Sequence, residues 1–495
     1  MSNLSELLPA GAGAKSAKFV ASGTLASGQT VGLKTDGTVE AISLTAVSDA
    51  MGTASEFSAG NYISAIGMCY DLGNDRVIIS YRNEQNSSYG TIVAGTVSGQ
   101  SISFGTPYVF NSTGTYDTQV VYDIVAAKIL CVFGQNAAVL YGVALTLSSG
   151  SWTQGSTASK GASGNVGYVK AAYDVNAQKT LAVFKETYIG LKGAIVSLSG
   201  ATVTIGNLTA VSGFNQNSEP QAITYDDSTG TPACVIVADT DSGGNQVKVF
   251  AGYIYGLSTP TFGSPTQVAT SSVSRQFEMA IAYDSVQKKS VIIYRHEDGG
   301  VSDTYAVVAT IAYSSLAMTL GTPVAASNLK FTYPAAIYDT YAKRTVLCFN
   351  VNQSPQGGAT RTITISGTTP TWSTTDVYYD SGGNSALYNA VTYDPDTLKV
   401  IPGWASLNVG QRGFAAVYQV GWSTTNYTSF VGITDEIISS GASGSVIVQG
   451  GVNSKVTSLT IASDYYVQTN GTISTASSTV PAGRALSTSS ILLEG

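Results

Sequence analysis

The chain of 495 residues carries a single histidine, His296, between Arg295 and the acids Glu297 and Asp298. An imidazole beside carboxylates is material for general acid–base or nucleophilic chemistry. A Ser-His-Asp or Cys-His site would have to use His296, yet no G-x-S-x-G elbow is present. "GAGAKS" at 11–16 has the outline of a phosphate loop, but Ala14 replaces the glycine before Lys15 and no strand precedes it. "DTDSGGN" at 239–245 could offer Asp239 and Asp241 to calcium; without the later acidic ligands it reads as a turn. Glu186, Asp239 and Glu297 are the acids that a polysaccharide-cleaving site would draw on. Cys69, Cys131, Cys234 and Cys348 lie far apart, with no C-x-x-C spacing, and each sits in an apolar run. They read as buried reduced thiols, so neither metal nor cofactor is expected.

The elements that would have to position such groups are strands. Only 11% of the residues are charged, against about a quarter in ordinary proteins. Gly, Ser, Thr, Val and Tyr dominate, which suits pleated surfaces and not long amphipathic helices. A net charge of −7 without a basic cluster argues against nucleic acid as partner. No signal peptide and no apolar run of spanning length is visible, so no membrane insertion is expected.

The surroundings of His296 recur. Seven segments share an apolar run ending in Tyr-Asp, with the aspartate at 71, 123, 174, 226, 284, 339 and 394. Such a period points to a solenoid or propeller. Each copy reads as four short strands, A to D, the content of one propeller blade. Asp71, Asp123, Asp174, Asp226, Asp284, Asp339 and Asp394 are assigned to the scaffold, accepting backbone N–H groups in the A–B turn. Arg76, Lys128, Lys179, Lys289, Arg344 and Lys399, five residues on, are expected to neutralise them across the hairpin. The seventh copy lacks a strand D, which "AMGTASEFSAGN" at 50–61 could supply, closing the ring. The expected fold is therefore all-β: a seven-bladed β-propeller, 50–423, inserted into a small discontinuous β-barrel or sandwich made of 1–49 and 424–495. Hairpin signals at Asp36-Gly37 and Asn470-Gly471 mark the end segments.

The end domain would replace the last C–D turn, leaving the face of B–C and D–A loops free. Its loops vary most between copies, and varied loops on an even scaffold are where binding specificity resides. Candidate contacts there are Arg82, Glu84, Gln135, Asn136, Lys185, Glu186, Asp239, Asp241, Arg295, His296, Glu297, Asp298, Asn350 and Asn352.

The end segments "MSNLSELLPAGAGAKSAKFVASGTLASGQTVGLKTDGTVEAIS" and "SFVGITDEIISSGASGSVIVQGG", with "YYVQTNGTISTAS" and "AGRALSTSSILL", resemble terminal regions of tail-fibre and tail-associated virion proteins of tailed bacteriophages, those of marine cyanophages above all. The Tyr-Asp repeats resemble repeats in such proteins. The resemblance implies a structural protein on the phage particle, tail more than head, made in the host cytoplasm. Its β-domain would bind other virion proteins and its propeller would act as an adhesin on host cell-surface glycan, as a homo-oligomer, a trimer among the forms considered. It implies no catalytic residue, and the chain reads as no enzyme. A non-binding decoration or assembly protein and a polysaccharide-cleaving propeller are the alternatives.

Overall fold

The computed structural model describes residues 15–494 except 136–137, 229–232, 241–245, 269–278, 299–300, 313–314, 327–328, 352–355 and 381–385. For residues 240, 297–298 and 301–302 it describes the backbone alone. Among the described residues the structure is strand and turn, apart from two 3-10 turns at Leu407–Val409 and Tyr427–Ser429. Two compact units emerge, one of residues 49–420 and one combining Met1–Ser48 with Gly421–Gly495.

Residues 49–420 form seven antiparallel sheets of four to six strands, a β-propeller-like arrangement. Their first strands are Ile63–Asp71, Asp117–Asp123, Val166–Asp174, Pro220–Asp226, Met279–Asp284, Phe331–Asp339 and Ala386–Asp394. Each first strand lies beside the next, and the seventh lies beside the first. The second strands read as unbroken apolar runs because both of their faces are covered. In Arg76–Asn83, Ile78 packs toward the second sheet with Ile129 and Cys131, while Val77 and Ile79 pack toward the seventh with Ile401 and Ala405. All three isoleucine and valine side chains are fully buried, each stabilising by roughly 1.5–3 kcal/mol.

The seventh sheet takes strands from both ends of the unit. Ala50–Met51 pairs with Tyr418–Gln419, and Ser55–Glu56 pairs with Phe414 and Ala415. In most sheets the fourth strand is broken at a glycine, as at Gly105, Gly263 and Gly321, which precede Pro at +2. A side chain at Gly263 or Gly321 would collide with a backbone carbonyl of the next sheet, at 2.3 and 2.4 Å.

The unit of both chain ends holds two five-stranded antiparallel sheets. In one, Ser16–Val20, Thr30–Leu33 and Val39–Ala41 interleave with Phe430–Thr434 and Ser443–Ile447. The other is built from residues 452–493 alone. Ile42 and Ile433 pack with Val467 and Ile491 in a shared core.

The turn aspartates are buried and do what the spacing implies. Asp123 Oδ1 accepts the N–H groups of Val125 and Ala126 at 3.0 and 2.9 Å, and Asp71, Asp174, Asp226, Asp284, Asp339 and Asp394 bond their own turns likewise. The expected cross-hairpin neutralisation is corrected in part. Among the described residues none of the six cations forms an ion pair with its own aspartate, while the charge of Arg344 offsets the burial of Asp339. Lys179 donates to the Leu257 carbonyl at 3.2 Å and Lys289 to Gly367 at 2.6 Å, so both tie one sheet to its neighbour.

Candidate functional site

Four of the first strands carry the same irregularity near their start. The pairing with the second strand slips by one residue between Ser64 and Gly67, Gly167 and Lys170, Thr332 and Ala335, and Leu387 and Ala390. In each bulge one non-glycine residue takes a left-handed conformation: Ala65, Tyr168, Tyr333 and Tyr388, with φ of 50–52°. Bulky residues avoid that region, and a bulge re-aims a side chain that a regular strand would send elsewhere. Three of these four strained positions carry tyrosine.

All three tyrosines line one cavity of about 400 Å³. It opens at the end of the seven-sheet unit where the first strands begin, and a second cavity of about 530 Å³, reaching Tyr70, Tyr122 and Tyr173, continues between the same strands. Tyr333 and Tyr388 form one wall, their rings 5.5 Å apart and inclined by 56°. Asn389 fixes that wall, donating to the Tyr333 carbonyl at 2.9 Å and accepting from Tyr379 Oη at 2.7 Å.

Charged pairs lie in the mouth and beside it. Arg82 Nε lies 3.2 Å from Glu84 Oε2, and its guanidinium sits 5.9 Å from the centre of the Tyr116 ring. Lys185 pairs with Glu219 at 2.7 Å and lies 5.3 Å from the Tyr168 ring centre. Burial pushes the Asp117 carboxyl above the usual carboxylate range, opposed by the charges of Lys170 and Arg82. Burial, with Glu219 nearby, also pushes the Tyr168 phenol up. The mouth thus offers aromatic rings beside hydrogen-bonding groups of both signs. Such a combination can hold a polar ligand that has one apolar face.

The residues picked out from the sequence divide into groups. Arg82 and Glu84 line the mouth, while Lys185 and Gln135 line a neighbouring recess. Glu186, Asp239 and Asn350 are corrected, because they are buried and hold chain segments together. Glu186 accepts from the N–H groups of Ser163 and Gly164, the latter at 2.9 Å, and pairs with Lys192 at 3.5 Å. Asp239 accepts the Glu219 N–H at 2.8 Å, and Asn350 accepts the Ala386 N–H at 3.0 Å. Glu186 and Asp239 anchor residues that lead into a first strand, and Asn350 holds the first residue of one.

Arg295 and His296 are half-buried at the end of Lys289–Asp298, outside the mouth. Arg295 donates to the Phe331 carbonyl at 3.4 Å, and the His296 ring meets the Tyr305 ring edge-on at 5.8 Å. Asn136, Asp241 and Asn352 lie outside the described residues, as do the side chains of Glu297 and Asp298. Among the described residues no cluster of His, Cys, Asp or Glu could hold a metal. The thiols of Cys131, Cys234 and Cys348 are buried and Cys69 is partly buried; burial pushes all four above the ordinary thiol range.

Sequence reasoning missed Tyr168, Tyr333 and Tyr388. Their signal is a tyrosine six residues before the turn aspartate, present in three of the seven copies.

No protein-family model matches the chain, and no curated protein matches it. Solved structures do show likeness at the level of fold. The NanB sialidase from Streptococcus pneumoniae is 10% identical, with 76% of this chain and 70% of that one covered and a TM-score of 0.42. The intramolecular trans-sialidase from Ruminococcus gnavus is 12% identical, with 74% and 97% covered and a TM-score of 0.44. A Dyadobacter fermentans protein of unknown function is 12% identical, with 76% and 99% covered and a TM-score of 0.44. The expectation that the chain is no enzyme is not upheld, since sialidases are among the solved structures it is similar to.

Proposed function

We propose that this chain is a surface protein of a tailed-phage particle, placed on the tail, that engages glycan on the host cell. In this reading the seven sheets are the blades of one seven-bladed β-propeller. The unit of both chain ends is the small β-barrel or sandwich that the propeller interrupts, and it anchors the chain to other virion proteins. The observation that supports glycan as the ligand is the set of tyrosines, Tyr168, Tyr333 and Tyr388, held in left-handed bulges around one cavity. Strain of this kind costs of order 1–3 kcal/mol per residue and persists where the surroundings over-determine it, most often at functional sites. Aromatic faces pack on the apolar faces of sugars while carboxylates, amides and cations bond the hydroxyls. Individual contacts would be weak, and a homo-oligomer carried in many copies would supply avidity.

The test is binding of fluorescently labelled protein to intact cyanobacterial cells, beside the double variant Tyr333→Ala and Tyr388→Ala. Saturable binding that the variant loses is the expected result. Equal binding by the variant, or no binding to any cell even when the protein is multimerised, would sink the reading.

A further inference from the structure

Beside the mouth lies a recess of about 200 Å³ between the second and third sheets, lined by Gln135, Asn165, Lys185 and Thr187. Tyr116 and Tyr168 line both spaces, so the two meet at this pair of rings. Gly167 keeps the passage open, since a Cβ there would come within 3.1 Å of the Tyr116 ring. Just beyond Thr187, Tyr188 stands 81% exposed in a left-handed conformation, φ 68°. Ligand pockets run from roughly 300 to 1,000 Å³. The mouth reaches that range, whereas the recess is too small to act alone and suits an extension of it.

The charges along this path cancel. Arg82 is matched by Glu84 at 3.2 Å and Lys185 by Glu219 at 2.7 Å. With Lys170 and Asp117, three cations stand against three carboxylates along the described path, so it holds no surplus charge to draw an anion. An acidic ligand taken up by Arg82 or Lys185 would have to break its pair and leave a partly buried carboxylate without its partner, which is costly. Hydroxyl groups can add to such pairs without breaking them.

Building on the glycan reading, we propose that mouth and recess form one two-compartment site for the end of an uncharged oligosaccharide. The terminal sugar occupies the mouth against Tyr333 and Tyr388. The adjoining sugar passes between Tyr116 and Tyr168 into the recess, where Gln135, Asn165 and Thr187 bond its hydroxyls, and Tyr188 forms the outer rim. The specificity is for a neutral chain of at least two units, read from its end.

The experiment is binding of the whole protein to an array of neutral and acidic oligosaccharides one to four units long, the acidic series ending in uronate or sialate. Neutral chains of two or more units should bind about tenfold more tightly than their monosaccharides, a difference of ~1.4 kcal/mol. Acidic chains should bind no better than neutral ones. Gln135→Ala, at a residue that lines the recess and not the mouth, should remove the gain from the second unit and leave monosaccharide binding in place. Thr187→Trp, which fills the recess from its solvent side, should do the same and guards against misfolding of the first variant. Tighter binding of the acidic series, no gain with length, or a gain that survives both variants would overturn the proposal. If cells still bind through Tyr333 and Tyr388, that failure touches the two-compartment site alone. If neither cells nor array bind, the adhesin reading falls with it.

Discussion

The Tyr70 hydroxyl donates to Asp396 Oδ2 at 2.8 Å, joining residues 326 positions apart and linking the first sheet to the turn of the seventh. The same bond recurs between neighbours. Tyr173 Oη donates to Asp123 Oδ1 at 3.1 Å, Tyr283 donates to Asp227, and Tyr225 Oη accepts from Asn176 at 2.6 Å. Four of the seven Tyr-Asp tyrosines, Tyr70, Tyr173, Tyr225 and Tyr283, thus bond the preceding sheet's turn, and Tyr70 does so where the chain itself does not run from one sheet to the next. Tyr70→Phe should destabilise the seven-sheet unit by about 0.5–1.5 kcal/mol. Asp396→Asn should cost less, because an amide still bonds both Tyr70 and the Asp75 carboxyl, whose value is raised by its hydrogen bond with Asp396 and then by that residue's charge. Urea unfolding of the two variants checks the order, and an equal or reversed loss would contradict it.

The turn aspartates should matter far more than the cations five residues after them. Asp123 meets two backbone amides and the Tyr173 hydroxyl, so Asp123→Ala strands several donors at once. The expected loss is about 2–3 kcal/mol, against a few tenths for Lys128→Met. Thermal unfolding of both variants makes the comparison, and a Lys128 effect as large as that of Asp123 would restore the neutralisation model.

These turns also mark what the sequence made legible. A carboxylate that bonds amides two and three residues ahead is a local event, so Tyr-Asp at a steady period exposed both the repeat and the aspartate's role. Lys179 and Lys289 were misread because their acceptors, Leu257 and Gly367, lie 78 residues away. Tyr168, Tyr333 and Tyr388 were invisible for a related reason. Alternation assigns a strand residue to one face, and only the slipped pairing with the second strand turns these rings into the cavity. Glu186 and Asp239 looked like loop acids because burial by a loop from the preceding repeat leaves no mark near them in sequence.

Stability should rise as the solution is made mildly acidic. Carboxyl groups with raised values include Asp75, Asp117, Asp174, Asp226 and Asp339, while Asp36 is lowered. Burial is the main cause except at Asp75, where the Asp396 carboxyl is. A raised carboxyl binds protons more tightly folded than unfolded, so its contribution grows as pH falls through the folded value toward the ordinary 3.8 and shrinks as pH climbs. The midpoint of thermal unfolding at pH 5 should therefore exceed that at pH 7, and Asp174→Asn with Asp339→Asn should flatten the difference. A midpoint that falls steadily from pH 7 to pH 5 would show that other groups dominate.

Function and stability should separate at the bulges. Tyr333 has φ of 50°, a conformation glycine adopts freely and a tyrosine adopts at a cost of about 1–2 kcal/mol. Tyr333→Gly relieves that strain but forfeits the ring contact with Tyr388 and the backbone restraint of a side chain, losses of about the same size. The folded state should consequently change by less than about 1 kcal/mol, whereas a large apolar ring removed from an ordinary core position costs about 3–5 kcal/mol. Binding to host cells should fall together with the loss of the ring. Tyr333→Ala, which keeps the strain and loses the ring, should be less stable than the glycine variant and equally poor in binding. Parallel urea melts and cell-binding isotherms of the two variants test this ordering. If alanine proved the more stable, the bulge would not be holding the tyrosine against its backbone preference, and the case for selecting an aromatic ring at that position would fail.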